Sequence, residues 1–254
     1  MTRAKCVLAR SSLLHSSVTI DPWSFLTQRH YPQSSLVLWT PPQETARPTH
    51  WAAATPELLF HRQNEWVESE ALAGTLPRRS DNNDDATGQQ LISSPKYRLE
   101  CELVRDHIVE VFSRLGMTDL QVGALGVVSY PHLMHLRIRI RARWPQYDDQ
   151  QLLKALHPTP AVCGFPQDVS SQLRRTIETR DRGWYTSAVG YSTPQRGWFA
   201  VMLRCAEILD PHTLRLWAGA GLTATSDPLM EWEELNTKLR WCTHPAKVRV
   251  LEVV

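Results

Sequence analysis

Along residues 136–144 the chain alternates Arg137, Arg139, Arg141 and Arg143 with Ile138, Ile140, Ala142 and Trp144. A period of two belongs to a half-buried strand, whose basic face is either solvated in an antiparallel sheet or turned to phosphates. Residues 214–218 repeat the period, with Leu214, Leu216 and Ala218 set against Arg215 and Trp217. Shorter β-rich runs at 35–39, 51–54, 58–60 and 66–72 predict further strands, the first stopped by Pro41-Pro42 and the last two paired across the polar turn 62–65. Strands at 186–191, 198–208 and 214–218, separated by turns at 194–197 and Asp210-Pro211, predict a meander.

Helix starts show as a capping residue followed by proline, which has no N–H to leave unpaired. Asp21-Pro22 predicts a short helix, Ser94-Pro95 one running to about residue 115 with Gly116 as its stop, and Ser226-Asp227-Pro228 a third. Residues 169–180 carry an amphipathic helical pattern. Residues 78–90, RRSDNNDDATGQQ, are too polar to fold alone and predict a mobile surface loop able to close over a pocket. Three prolines and a glycine make residues 156–166, LHPTPAVCGFP, an irregular connector.

A chain of 254 residues with 42% hydrophobic content can bury a sizeable core, as one large domain or two small ones. The formal charge of +2 leaves no broad electrostatic footprint, so nucleic acid is not expected as a partner. Cys6, Cys101, Cys163, Cys205 and Cys242 form no CxxC pair and leave an odd one over, which fits a reduced, cytoplasmic setting. No apolar run approaches the ~20 residues needed to span a bilayer, so no membrane is expected. No GxGxxG or Walker loop points to a nucleotide. The first twenty residues are serine-rich, carry Arg3, Lys5 and Arg10 and lack acids, which is also transit-peptide composition.

Chemistry concentrates near the C-terminus. Gly219 and Gly221 predict a turn where the backbone can approach a ligand closely. Glu231 and Glu234 share a face of the helix that follows, either as oxygen ligands for a hard cation such as magnesium or as acids complementing the helix dipole. Glu100, Val104, His107 and Val111 likewise fall near one face of the helix from Pro95. From their surroundings alone, His135 reads as a core histidine and Arg204 as half of a surface salt bridge.

AGAG at 218–221, SDP at 226–228 and EWEE at 231–234 resemble the C-terminal signature of the chorismate-utilising enzymes, which include isochorismate, salicylate, anthranilate and aminodeoxychorismate synthases. KCVLAR at 5–10 resembles the motif carrying that family's catalytic lysine, ATPELLF at 54–60 its SPE motif and ALAGT at 71–75 the motif after it. LMHL at 133–136 resembles the segment holding an active-site histidine, and LHPTPA at 156–161 is a near-complete match. Lys96 with Glu100 one turn later resembles the segment supplying a metal ligand, although Leu99 and Cys101 stand where relatives have histidines.

The resemblance implies an α+β fold with large antiparallel sheets packed face to face and helices outside, an α/β/β/α chorismate-binding architecture. It also implies one catalytic domain over residues 1–254, lacking the region that relatives carry before the lysine. It implies a magnesium-dependent isochorismate synthase, in which Lys5 is the general base on water attacking C2 of chorismate and Glu57 protonates the departing C4 hydroxyl. Such chemistry needs Lys5 neutral and Glu57 protonated, which burial favours. Gly74, Thr75, His135, Tyr185, Arg204, Gly219 and Gly221 would bind substrate, Arg204 as a bidentate fork for a carboxylate with Tyr185 beside it. Glu100, Glu231 and Glu234 would hold magnesium. Lys5 stands where ammonia-using relatives carry glutamine, and Ala73 where aminodeoxychorismate synthases carry lysine, which implies water as nucleophile and no glutaminase subunit. Tyr185 and Leu203 are shared with salicylate synthases, so lyase activity stays open. The product would feed menaquinone, siderophore or salicylate synthesis. The non-enzymatic alternative is a truncated paralogue that binds chorismate without turnover.

Overall fold

The computed structural model describes residues 4–29, 34–40, 49–78, 84–130, 133–243 and 248–253. Its elements run β1 (Lys5–Ser16), α1 (Pro22–Thr27), β2 (Ser35–Trp39), β3 (His50–Thr55), β4 (Leu58–Gln63), β5 (Trp66–Pro77), α2 (Asp84–Ser93), α3 (Pro95–Arg114), β6 (Thr118–Val122), β7 (Gly126–Ser129), β8 (Leu133–Arg143), α4 (Asp149–Leu156), β9 (Gly164–Phe165), α5 (Gln167–Ile177), β10 (Ala188–Ser192), β11 (Arg196–Val201), β12 (Cys205–Asp210), β13 (Thr213–Leu222), α6 (Pro228–Thr243) and β14 (Val248–Val253).

Two large antiparallel sheets carry the fold. One has the order β14-β1-β13-β12-β3-β2, with β9 beside β1; the other has β10-β11-β4-β5-β8-β6, with β7 beside β8. Each is backed by helices. Leu14, Leu214, Leu216 and Ile208 of the first sheet pack with Phe25 and Leu26 of α1, while Phe60, Ala71, Leu136 and Ile138 of the second pack with Val104, Ile108 and Phe112 of α3. A third cluster, with Trp51, Ala53, Tyr185, Met202 and Trp217, fills the remaining space beside the first sheet. The α+β architecture is thus the one expected.

The capped starts hold. Asp21 Oδ1 accepts the Ser24 N–H at 2.7 Å, Ser94 Oγ that of Tyr97 at 3.4 Å, and Asp227 Oδ1 that of Met230 at 2.9 Å. The arginine stripe of β8 is solvated, with Arg141 on Glu68 at 3.4 Å and Arg143 on Glu65 at 2.9 Å. That is the solvated-face reading rather than a phosphate grip.

Several expectations are corrected. The polar stretch expected as a loop forms α2 from Asp84, because Thr87, Gly88 and Leu91 bury one face; residues 79–83 lie outside the described residues, as do Met1 to Arg3 and Pro41-Pro42. The amphipathic helix expected at 169–180 spans Gln167–Ile177. Helix α4 had no counterpart in the sequence reading. Asp148 caps it at 2.9 and 3.0 Å, and Asp149 enters a buried bidentate pair with Arg62 at 2.6 and 2.7 Å. The glycine turn is no turn: Gly219 and Gly221 continue β13, opposite Ala9 and Val7. The transit-peptide reading fails for residues 5–16, since β1 is an inner strand bonded along β13. Finally, the strand expected at 198–208 is two strands in different sheets, so there is no meander.

Candidate active site

Apart from the short excursion to β9, the chain passes from the first sheet to the second between β3 and β4, and returns between β11 and β12. The two crossings lie against each other. The Ala54 N–H donates to Arg204 O and the Val201 N–H to Glu57 O, both at 3.1 Å, and Thr55 Oγ1 donates to Val201 O at 2.5 Å. Arg204 turns its strand by adopting a left-handed backbone, φ 49°, that few non-glycine residues take. Glu57 and Arg204 therefore leave the backbone where the sheets are joined, although 147 positions apart in sequence.

One cavity at that junction is lined by Lys5, Glu57, Gly74, Thr75, Glu100, His135, Tyr185, Arg204, Gly219, Gly221 and Glu234. Every expected site residue except Glu231 is among them. Glu231 opens instead on a neighbouring recess that shares Thr75 and Glu234 with the cavity. Sequence reasoning missed Lys238 and Trp217 in the lining. Lys238 was signalled by its i,i+4 spacing from Glu234, which it meets at 2.6 Å, while its amine also donates to Gly219 O at 2.7 Å.

The glycines make room for this lining. A Cβ on Gly221 would stand 2.3 Å from Lys5 Cε, and one on Gly219 would stand 2.9 Å from the Tyr185 hydroxyl. Gly74, at φ 72°, sits where the β5–β8 register slips, which sets Thr75 opposite His135.

Burial raises the Glu57 carboxyl to about 8 although nearby Lys5 opposes this, so it is protonated at neutral pH. Burial drives His135 down to about 3, helped by Arg204 and Lys238, so its ring is neutral. Its Nδ1 lies 3.3 Å from Gly74 O, which can only accept, and 3.1 Å from Thr75 Oγ1. Nδ1 therefore carries the proton and Nε2, buried with no partner among the described residues, is a bare acceptor. The Arg204 guanidinium has no ion-pair partner among the described residues.

The carboxylates each meet a lysine amine. Lys5 Nζ is 3.2 Å from Glu100 Oε2, and Lys96 Nζ bridges Glu100 Oε1 at 3.5 Å and Glu231 Oε1 at 2.5 Å. Burial opposes the charges of Lys96 and Glu234, but the opposite charges around them win: Lys96 rises to about 12 on Glu100, Glu231 and Glu234, and Glu234 is held low by Lys238 and Lys96.

The profile of a family described as chorismate binding enzyme matches residues 2–244. The chain belongs to this family of chorismate-binding enzymes. It is 33% identical over 240 residues to isochorismate synthase 2, chloroplastic, of Arabidopsis thaliana, covering 93% of this chain and 42% of that one. To isochorismate synthase DhbC of Bacillus subtilis it is 34% identical over 249 residues, covering 94% of this chain and 62% of the relative. The crystal structure of a putative 2,3-dihydroxybenzoate-specific isochorismate synthase from Bacillus anthracis superposes with a TM-score of 0.88 at 32% identity, covering 94% of this chain and 65% of the other. The chain thus spans about half the length of the curated relatives it matches.

Magnesium can be tested on the donor set. Among the described residues no three carboxylates or imidazoles converge as a ready-made cage. The donors are nevertheless all carboxylate oxygens, which suit a hard cation, and Glu231 Oε2 is buried with no partner among the described residues. The Lys96 ammonium already bridges two of the three acids. These oxygens would suit magnesium in chemistry, although the acids are paired with lysines and, among the described residues, do not converge as a cage. No helix among the described residues is long and apolar enough to cross a membrane.

Proposed function

We propose that this chain is the catalytic domain, over residues 1–254, of an isochorismate synthase that converts chorismate to isochorismate. The observation that carries the reading is that Lys5 and the neutral carboxyl of Glu57 line one cavity. Lys5, in this reading, takes a proton from water attacking C2, and Glu57 gives its proton to the departing C4 hydroxyl, so that water is added and water is lost. Arg204, with no ion-pair partner among the described residues, receives a substrate carboxylate as a fork, with Tyr185 beside it. Magnesium, held by Glu100, Glu231 and Glu234, would supply positive charge to balance the carboxylates and orient the ring. Lys5 and Ala73 favour water over ammonia, so no glutaminase subunit is needed. The free thiols of Cys6, Cys101, Cys163 and Cys205 suit a cytoplasmic setting.

Chromatographic analysis of the products from chorismate and magnesium tests this. Isochorismate without added ammonia is expected. Salicylate would extend the reading to a synthase with lyase activity, as the Tyr185–Leu203 pairing allows, and anthranilate formed with ammonium salts would move the chain to another branch. Bound chorismate with no turnover would make it a binding paralogue.

A further inference from the structure

Side chains of β13 point alternately outward and inward. Leu214 and Leu216 pack outward with Phe25 and Leu26, while Trp217, Gly219 and Gly221 line the cavity. Trp217 carries the large side chain among these three, and its ring stacks on Tyr185 with centroids 5.7 Å apart and planes 12° from parallel. Its Nε1 is buried with no partner among the described residues. Native proteins leave few buried N–H groups unmade, and an indole can only donate, so what this atom lacks is an acceptor. The other unpartnered ring nitrogen among the residues that line the cavity, His135 Nε2, is the converse case: with the proton on Nδ1 it lacks a donor. A ligand satisfying both offers an acceptor oxygen and a hydroxyl hydrogen, while Arg204, with no ion-pair partner among the described residues, calls for an anion.

We propose that Trp217 is a further substrate-binding residue, its indole N–H donating to an acceptor oxygen of a cyclic hydroxy acid whose hydroxyl donates to His135 Nε2. This rests on the reading of the cavity as a chorismate site. Chorismate itself is a cyclic hydroxy acid of this class. Trp217 would select among ring acids by what faces its N–H: an acid presenting a hydrogen or a second donor there leaves the indole unpaired and binds more weakly.

The test is the indole N–H resonance of Trp217 in the 15N-labelled chain, assigned sequentially, titrated with chorismate and separately with 3-hydroxybenzoate. Movement of that resonance with both is expected. In parallel, Trp217→Phe keeps the ring and removes the donor; its chorismate Kd should rise about tenfold, the weight of one hydrogen bond to a charged oxygen. Trp51→Phe, which thins the same aromatic cluster without touching the cavity lining, should leave Kd unchanged. Movement with 3-hydroxybenzoate but not chorismate would uphold Trp217 and sink the chorismate reading. A resonance that stays still with both acids, or wild-type affinity in Trp217→Phe, would overturn the proposal. If Trp217→Phe does not fold, the wild-type titration decides alone.

Discussion

Lys5 Nζ stands 3.2 Å from Glu100 Oε2, with their side chains only 2% and 9% exposed. The proposed base and a proposed metal ligand are thus each other's partner, joining the first residue of β1 to α3. The pair is lopsided, because Glu100 has Lys96 as a second lysine partner at 3.5 Å whereas Lys5 has Glu100 alone as its ion-pair partner among the described residues. Stranding one member of a buried pair costs about 3–5 kcal/mol. Denaturant unfolding should therefore show Glu100→Gln to be more destabilising than Lys5→Gln, while both variants lose turnover. The reverse order would mean that the pair does not govern this corner of the fold.

Glu57 links the site to pH. Its carboxyl, ordinarily near 4.5, is raised to about 8, so between those values the folded chain holds a proton that the unfolded chain has released. The stability it contributes is complete below about pH 4.5 and is lost as pH rises through 8. Turnover that needs the protonated acid should fall over the upper part of that window. Glu57→Gln should abolish turnover, keep chorismate binding and flatten the fall in melting temperature between pH 5 and about 9. Equal slopes in both proteins would remove Glu57 as the titrating group.

Gly221→Ala separates packing from chemistry. The new methyl would meet Lys5 Cε at 2.3 Å and Glu100 Oε2 at 2.9 Å, both ends of flexible side chains that can swing away. Stability should fall by about 1–3 kcal/mol, because the methyl presses on the buried Lys5–Glu100 pair. The amine, however, would leave its position, and kcat should fall by two orders of magnitude or more, as general-base loss does. Near-normal kcat would show that the position of Lys5 is not critical.

Deleting residues 1–12 should abolish cooperative melting, because it strips most of the ladder that β1 makes with β13, from Cys6 opposite Leu222 to Ser12 opposite Leu216. Circular dichroism on heating decides this. An unchanged melt would restore the reading of this segment as a detachable leader.

Magnesium binding, followed by calorimetry without substrate, should weaken at least tenfold in Glu234→Gln and in Glu100→Gln, since each loses an anionic oxygen at constant volume. Isotherms matching the wild type would return these acids to lysine pairing alone.

What the sequence determined by itself is what depends on neighbours in the chain. The alternation of Arg137 to Trp144 set a strand and its solvated face, and Asp21, Ser94 and Asp227 set helix starts, because capping is a contact within four residues. Motif resemblance named the site residues, from Lys5 to Glu234. Only the tertiary structure decided where the chain changes sheet. No glycine or proline marks residues 202–204, and the left-handed turn at Arg204 is held by Ala54, far away in sequence. Gly219 and Gly221 looked like a turn because glycine favours turns locally, yet they are strand because they pair with Ala9 and Val7 of β1, and the Tyr185 hydroxyl and the Lys5 side chain take the space a Cβ would fill. Residues 84–90 looked soluble in isolation and became helix because Thr87, Gly88 and Leu91 found a surface to cover. In each case a long-range contact outweighed a local preference of less than a few kcal/mol.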